Sequence, residues 1–353
     1  MAETKSANKQ YFWAKIILGV LLLVLATVGF FDRQAVGDLI FNAHWPRLIW
    51  AIVFAFVSLF FAADGFYIIG RELGLKINAG RLFLVGFVTI AINDLITSAG
   101  TAAFSLRVIL LKKRDVSAKE ILSASIFHSY FNLLVAVLFL PFSLFFLSLA
   151  DDFPISDKIV FLIFSAVLLA VFVLASWIFF SPRARAVVIN FFDGLTRRLS
   201  KKYQGVFFSQ FKQTLEEGVL VIKNKSVVTT VSVATFFDWL FMLFSLWVCF
   251  WALGINLSFG LILSGFFVGI IVGFISVIPG GIGIQEGSMA GIYALLGVPF
   301  SQAIIAVLLF RLIYYVIPFI PALVLYSGLL KKIKSEHGEE PPNNIAADLT
   351  GLV

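Results

Sequence analysis

The sequence predicts an all-α polytopic membrane protein with about six full spans, two re-entrant broken-helix hairpins and an inverted-topology repeat. Apolar residues make up 60% of its 353 residues and charged residues only 13%, whereas soluble domains average about 45–50% and about 25%. The mean hydropathy is +1.00. A soluble fold of this length could not cover so much apolar surface, so the chain belongs in a bilayer.

Six apolar runs can each supply the roughly 20 residues that cross the hydrocarbon core of a bilayer as a helix. They cover residues 14–31, 48–69, 121–149, 159–181, 227–253 and 301–329. The first run is long for a signal peptide and lacks a convincing small-residue cleavage site, so we interpret it as an uncleaved span. Two further apolar stretches, 82–111 and 260–296, are interrupted by small residues.

Lys and Arg decide how the first interrupted stretch enters the membrane, because basic residues are concentrated in cytoplasmic loops. Lys5, Lys9 and Lys15 place the N-terminus in the cytoplasm, and basic loops lie on both sides of 82–111. A segment that begins and ends on the same face must turn back inside the membrane. The small residues Ser98–Gly100 are the predicted turn.

The second interrupted stretch has both ends on the external face by the same reasoning. It follows the uncharged loop 254–259, and the last span after it ends at Lys331, inside. We therefore expect 260–296 to turn back near Pro279–Gly283, so that both chain termini are cytoplasmic. The alternative is that both stretches are ordinary spans kinked at glycine, which gives eight spans.

The two interrupted stretches also form an internal repeat. When Val116 is aligned with Val298, the segment 95–128 matches 277–310, and each copy has a small-residue break, a short apolar arm, a tight loop and a long span. Broken hairpins that enter from opposite faces are typical of inverted-topology transporters, in which they meet near the midplane.

Residues 1–330 are predicted to form one transmembrane domain, and residues 331–353 a disordered cytoplasmic tail. The segment 182–225 holds most of the chain's net positive charge and has apolar residues at helical spacing. It fits a basic amphipathic helix bound to anionic lipids of the inner leaflet. Nucleic acid is excluded as a partner because this segment is tethered between spans.

Glycines flank the second break at intervals of four residues, which places each set on one helix face. The two sets are Gly265, Gly269 and Gly273 before the break and Gly283, Gly287 and Gly291 after it. We expect the two sets to pack against each other as the arms of a tight hairpin. The alternative is that they only make apolar contacts with neighbouring spans.

Ionisable residues near the breaks are the strongest functional signal, since charge is costly in hydrocarbon. The arms that begin near Thr101 and Gly283 would aim backbone N–H groups at the midplane, where they favour an anion. The planar guanidinium group of arginine can donate two parallel hydrogen bonds to a phosphate. The candidate substrate-binding residues are Asp94, Ser98, Gly100, Arg107, Pro279, Gly280, Gly281, Gly283, Glu286 and Arg311.

Structural interpretations of some of these residues remain open. Glu286 and Arg311 could form a purely structural ion pair, and Arg107 could extend along the hydrocarbon to the cytoplasmic interface. Asp64 and Asp238 could be structural partners for an arginine or for the backbone. His128 is more simply a buried, satisfied side chain than part of a proton relay.

Enzyme chemistry finds little support in the sequence. The single Cys249 and three scattered histidines indicate neither a disulfide nor a metal site, and we expect no cofactor. No phosphate loop, hydrolase elbow or metalloprotease motif is present. The sequence therefore favours a transporter. The alternatives are an integral-membrane lipid-modifying enzyme or a non-catalytic partner subunit in lipid or envelope biosynthesis.

Three motifs resemble those of a known family. They are the Pro-Gly-Gly-x-Gly-x-x-Glu turn at Pro279–Glu286, the loop Gly297–Pro299, and Arg311 on the last span. In this order they resemble the lysylphosphatidylglycerol synthase transmembrane-region family, the flippase-like membrane half of the multiple peptide resistance factor. The first half departs from the family pattern, with Ser98–Gly100 where a glycine-rich turn is usual.

The resemblance covers about residues 10–330 and implies translocation of a polar lipid between the leaflets of the cytoplasmic membrane. Only some twenty residues follow Lys331, so the soluble aminoacyl-transferase domain of the synthase is expected to be absent. The partners expected on this basis are a membrane lipid substrate and either further copies of the chain or a lipid-synthesis enzyme.

Overall fold

The computed structural model describes residue 37 and the ranges 41–96, 101–111, 118–149, 154–181, 224–275 and 283–337, together with residues 116 and 183. Within these ranges the secondary structure is helical throughout. Ten α-helices are described: α1 Leu48–Glu72, α2 Ala79–Ile96, α3 Thr101–Leu111, α4 Ala118–Ser148, α5 Ile155–Phe180, α6 Lys225–Ala252, α7 Phe259–Ile275, α8 Ile284–Leu295, α9 Phe300–Arg311 and α10 Ile317–His337. A π-turn, Leu312–Val316, joins α9 to α10.

Five helical stretches in the described ranges are long and apolar enough to cross a membrane. They are α1 with the turn before it, α4, α5, α6 and the continuous run of α9 and α10. They confirm five of the six predicted spans, while the run 14–31 and most of the basic segment 182–225 lie outside the described residues. Helix α10 continues to His337, so residues 331–337 of the predicted disordered tail are helical instead.

The first interrupted stretch is a hairpin whose arms are α2 and α3. The Asn93 side-chain oxygen accepts a hydrogen bond from the backbone N–H of Ala103 at 3.4 Å. Further from the turn, Nε of Arg107 donates to Oγ1 of Thr89 at 3.1 Å. Residue numbers fall along α2 as they rise along α3, so the two arms run antiparallel and the chain turns back as predicted.

The second interrupted stretch, α7 and α8, has the same form. Gly265 lies against the ring of Tyr293, and Gly269 lies against Met289. The Tyr293 hydroxyl donates to the carbonyl of Ile262 at 2.8 Å. These arms are also antiparallel and are shorter than a span. The alternative of two kinked full spans is therefore wrong.

Only one of the two glycine sets makes the close helix contact. A Cβ atom added to Gly265 or Gly269 would overlap α8, whereas Gly287 and Gly291 have open space around them. The expectation that both sets face each other is wrong, because α8 fills the groove on α7 with the side chains of Met289 and Tyr293. One helix supplies the groove and the other supplies the ridge.

Helices α1 and α6 pack against each other along their lengths. Three hydrogen bonds join them or their ends: His44 N–H to the Ala252 carbonyl at 2.8 Å, Ser245 Oγ to the Ala51 carbonyl at 2.9 Å, and Asn224 Nδ2 to Glu72 Oε1 at 3.1 Å. The start of one helix therefore lies beside the end of the other, and the two helices are antiparallel.

This antiparallel pair establishes the inverted repeat. Aligning Val116 with Val298 also pairs α1 with α6, α2 with α7, α3 with α8, and α4 with the run of α9 and α10. Because the equivalent helices α1 and α6 run in opposite directions, the two halves are inverted. The first hairpin starts at the Glu72 end of α1 and the second at the Ala252 end of α6, so they enter from opposite faces.

Each hairpin lies in its own hydrophobic cluster. The cluster around the second hairpin includes Phe266, Tyr293 and Phe310, all fully buried. The cluster around the first includes Phe66 and Leu82, which are also fully buried. Helix α5 leaves most of its apolar side chains exposed, as expected for a helix that faces lipid.

The close contact between α7 and α8 gives a stability prediction. Gly265→Ala should destabilise the protein by about 1–3 kcal/mol, because the added Cβ overlaps the buried, rigid ring of Tyr293. Gly287→Ala is the matched control, since its Cβ enters open space. Thermal unfolding in detergent micelles measures both variants. Equal midpoints for the two would contradict the packing of this hairpin.

The inverted arrangement gives a prediction about sidedness. Lys76 lies between α1 and α2 and Asn256 between α6 and α7, and both are exposed. In a Cys249→Ala background we expect a membrane-impermeant maleimide to label Asn256→Cys in intact cells. Lys76→Cys should be labelled only after the membrane is opened. Labelling of both from the same side would contradict the opposed entry of the hairpins.

Candidate functional site

The second half of the candidate site is built at the start of α8. Gly283 has a φ of +86°, a conformation that residues with a Cβ rarely adopt. Its backbone N–H donates to Oε2 of Glu286 at 2.7 Å, which satisfies one of the unpaired donors at a helix N-terminus. The Gly-x-x-Glu spacing therefore caps the N-terminus of α8. The Glu286 side chain that forms the cap is buried, since the residue is only 2% exposed.

Arg311, at the end of α9, completes this half. Its Nε forms an ion pair with Oε1 of Glu286, and its Nη2 donates to Oε1 of Gln285 at 2.9 Å. The guanidinium also lies 5.1 Å from the ring centroid of Tyr315. The structure therefore contains the ion pair that the sequence left open. The Arg311 side chain is 17% exposed, so part of it is accessible.

The first half of the site centres on Arg107, which is 2% exposed. Its guanidinium carbon lies 3.9 Å from the ring centroid of Phe66, a cation–π distance. Its Nε bonds to Thr89, whose own hydroxyl donates to the Val85 carbonyl at 2.7 Å. Because the side chain is held inside the protein, the interpretation that Arg107 extends to the membrane interface is wrong.

Asp94 is half-buried on α2, close enough to Arg107 for the two charges to interact. The structure thus brings Asp94 together with Arg107, and Glu286 together with Arg311, as one acid and one base in each half. The remaining predicted site residues, Ser98, Gly100, Pro279, Gly280 and Gly281, lie outside the described residues.

Tyr315 lies between the two halves. Its hydroxyl interacts electrostatically with Arg311 and Glu286 of the second half and with Asp94 of the first. It belongs to the π-turn that follows Arg311, and π-helical turns are frequent at functional sites. Sequence reasoning missed Tyr315, although its position four residues after Arg311 on a helix was a signal available for it.

A second polar group, of which the sequence analysis named only Asp238, lies where α1 crosses α6. The Ser58 hydroxyl donates to Oδ1 of Asp238 at 2.5 Å and lies 2.7 Å from the Tyr314 hydroxyl. Asp238 therefore has a polar partner, but this partner is a serine hydroxyl and not the arginine or backbone group that was expected. Ser58 and Tyr314 could not be assigned from sequence, because their contacts join residues far apart in the chain.

His128 also has the structural environment predicted for it. Its Nε2 lies 3.1 Å from the Ala62 carbonyl, and its ring meets that of Phe66 edge to face. Phe66 is thus shared between His128 and Arg107. No group of three metal-binding side chains is found among the residues that the structure describes.

These features define an all-α, multi-pass membrane protein with an inverted repeat. Charged side chains lie inside the protein near the breaks of its two hairpins. The sequence matches the family described as the lysylphosphatidylglycerol synthase TM region over residues 12–322. The chain belongs to this family, a membrane domain related to lysylphosphatidylglycerol synthase.

Two relatives are similar to this chain over different parts of its length. A UPF0104 membrane protein of Methanothermobacter thermautotrophicus is 23% identical over 311 residues, which cover 85% of this chain and 90% of the relative. A phosphatidylglycerol lysyltransferase of Staphylococcus haemolyticus is 31% identical over 102 residues, which cover 29% of this chain and 12% of that protein. The first similarity extends over nearly the whole membrane domain and the second over a part of it.

The contacts of Glu286 predict an order of stability among three variants. Gln285→Ala removes one hydrogen bond to Arg311 and should cost least. Glu286→Gln keeps an oxygen for the Gly283 N–H but leaves Arg311 without its counter-charge, at a cost of about 3–5 kcal/mol. Glu286→Ala should cost about 1 kcal/mol more, because the helix cap is also lost.

Denaturant unfolding in a fixed detergent measures this order. If Glu286→Ala were no less stable than Gln285→Ala, the ion pair and the cap would not hold α8 against α9 as described.

Proposed function

We propose that the protein is a lipid flippase that moves a polar, phosphate-bearing lipid between the leaflets of the cytoplasmic membrane. The observation that carries this proposal is the pair of antiparallel hairpins entering from opposite faces, each with an arginine beside a carboxylate: Arg107 is buried and Arg311 is 17% exposed. Charged side chains at membrane depth are costly and mark substrate pathways. An arginine in each half suits one anionic group passed from one face to the other.

Phosphate is the group that the second half would receive best. The Arg311 guanidinium donates one of its five N–H groups to Gln285 and forms its ion pair with Glu286 on the Nε side. The remaining edge of the planar guanidinium can donate two parallel hydrogen bonds to a phosphate. The N-terminal end of α8 also favours an anion, because it is the positive end of the helix dipole. A phosphate at that edge would share the charge of Arg311 with Glu286, so the ion pair would weaken as the headgroup binds.

The first half would hold the headgroup differently. Arg107 rests on an aromatic face and a threonine hydroxyl, with Asp94 as its neighbouring charge. Tyr315 is an electrostatic neighbour of both Asp94 and Arg311, so a headgroup leaving one half would meet the other within a short distance. This proximity supports a transfer across the midplane.

The family supports the lipid nature of the substrate. The staphylococcal relative is named for phosphatidylglycerol, a lipid with a phosphate diester. On this proposal the chain moves such a lipid without modifying it and needs no cofactor, and the segment 182–225 binds anionic lipids of the inner leaflet. Assembly with further copies or with a lipid-synthesis enzyme fits the same role.

Translocation of fluorescently labelled phosphatidylglycerol in proteoliposomes tests the function. Arg311→Ala and Arg107→Ala should each slow translocation at least tenfold, the factor that about 1.4 kcal/mol of lost binding produces. Arg47→Ala is the matched control. Arg47 is also an arginine on an aromatic ring, 4.1 Å from the Trp251 centroid, but it lies at the start of α1, away from both hairpin turns.

Two results would contradict the proposal in different ways. If the wild-type protein moved lipid no faster than empty vesicles, the flippase function would be wrong. If Arg311→Ala and Arg107→Ala moved lipid as fast as Arg47→Ala, the function would stand and the site would be wrong.

A further inference from the structure

Asp238 is a buried carboxyl outside the proposed headgroup site. It lies on α6 where this helix crosses α1, and it is 7% exposed. Its Oδ1 accepts the hydroxyl proton of Ser58. A serine hydroxyl has a single proton, so the Tyr314 hydroxyl must be the donor in its 2.7 Å contact with Ser58. A chain of hydrogen bonds therefore runs from Tyr314 through Ser58 to Asp238.

The hydrogen-bond partners of Asp238 carry no charge. In the described parts of the chain, no Lys, Arg or His forms an ion pair with it, and the charged residue that interacts with it is Asp94, a like charge. A carboxylate withdrawn from water without a cation is unfavourable. Binding a proton removes that cost.

Other titratable groups lie on the elements packed around α6, and none of them neutralises Asp238. Helix α7 carries no titratable residue. On the other packed elements the titratable groups away from the helix ends are Asp64 and Tyr67 on α1, His128 and Tyr130 on α4, and Tyr314 and Tyr315 on the π-turn, and Arg311 lies at the end of α9. Of these, Arg311 is engaged by Glu286, and His128 by the Ala62 carbonyl.

The hydrogen-bonded chain also lies between the two halves of the proposed site. Asp94 of the first hairpin interacts electrostatically with Asp238 and with both tyrosines of the π-turn. Tyr315, next to Tyr314, interacts with Arg311 and Glu286. A change of charge at Asp238 would therefore be felt by both arginine–carboxylate pairs.

We propose that Asp238 is a proton-binding site that couples lipid movement to the proton gradient across the membrane, with Ser58 and Tyr314 as its hydrogen-bonded path. This inference rests on the proposed flippase function and adds its energy source. The Tyr314 hydroxyl takes up a proton from water and gives its own to Ser58, and Ser58 gives its own to the Asp238 carboxylate, so both hydroxyls are neutral before and after the transfer. Release from Asp238 runs through the same steps in reverse and returns the proton to water.

Lipid translocation with and without a pH gradient tests the coupling. In proteoliposomes with labelled phosphatidylglycerol, a gradient should change the wild-type rate at least threefold. Asp238→Asn preserves the shape of the side chain and an oxygen that accepts from Ser58, so we expect exchange without a gradient to continue and the response to the gradient to be lost. Asp64→Asn, a carboxyl on α1 outside this chain of hydrogen bonds, should respond as the wild type does.

A gradient response that survives in Asp238→Asn would overturn the proposal, and so would stimulation by a sodium gradient in place of a proton gradient. Wild-type exchange that no pH gradient changes would overturn the coupling and leave the flippase function intact. Absence of exchange under every condition would instead overturn the proposed function.

Infrared spectra of the purified protein give a second measurement that needs no transport. The wild type should show the carbonyl band of a protonated carboxyl group near neutral pH, and the band should be lost in Asp238→Asn. Asp238→Glu retains a proton-binding group and should shift the band. This variant provides the test if Asp238→Asn does not fold. A wild-type spectrum without such a band would overturn the proposal.

Discussion

The rest of the structure depends on how two helices can be interrupted inside a membrane. In hydrocarbon no water is available to bond the backbone groups at a broken helix end, so the protein must supply partners. In the first hairpin the Asn93 side chain accepts the N–H of Ala103, and in the second Glu286 accepts the N–H of Gly283. Polar side chains are therefore required near both breaks for structural reasons.

The two halves have the same order of helices but differ in the residues that surround their arginines. In the alignment of the repeat, Arg107 occupies the position of Met289, and Arg311 that of Ser129. Arg311 is balanced by a carboxylate in an ion pair, whereas Arg107 is held by an aromatic ring and a hydroxyl. A headgroup would meet two sites of unequal strength.

The breaks and the opposed hairpins could be predicted from the sequence, because small residues interrupt apolar runs and basic loops mark one face. Arg107, Asp94, Glu286 and Arg311 were identifiable for the same reason: each interrupts an apolar environment. The direction of the Arg107 side chain was not predictable, since it depends on which face of α3 meets Phe66. Ser58 and Tyr314 were equally hidden, since their contact depends on where α1 crosses α6.

Packing indicates which parts would move together during transport. Gly265 and Gly269 leave no space between α7 and α8, so the second hairpin is stiff, and movement must occur between it and its neighbours. The contact that holds α8 to α9 near the midplane is the bonding of Arg311 to Glu286 and Gln285. On the proposed mechanism a phosphate weakens this same contact when it binds Arg311. Headgroup binding and release of the hairpin would then be one event, with the π-turn after Arg311 transmitting the change to Tyr314 and the α1–α6 crossing.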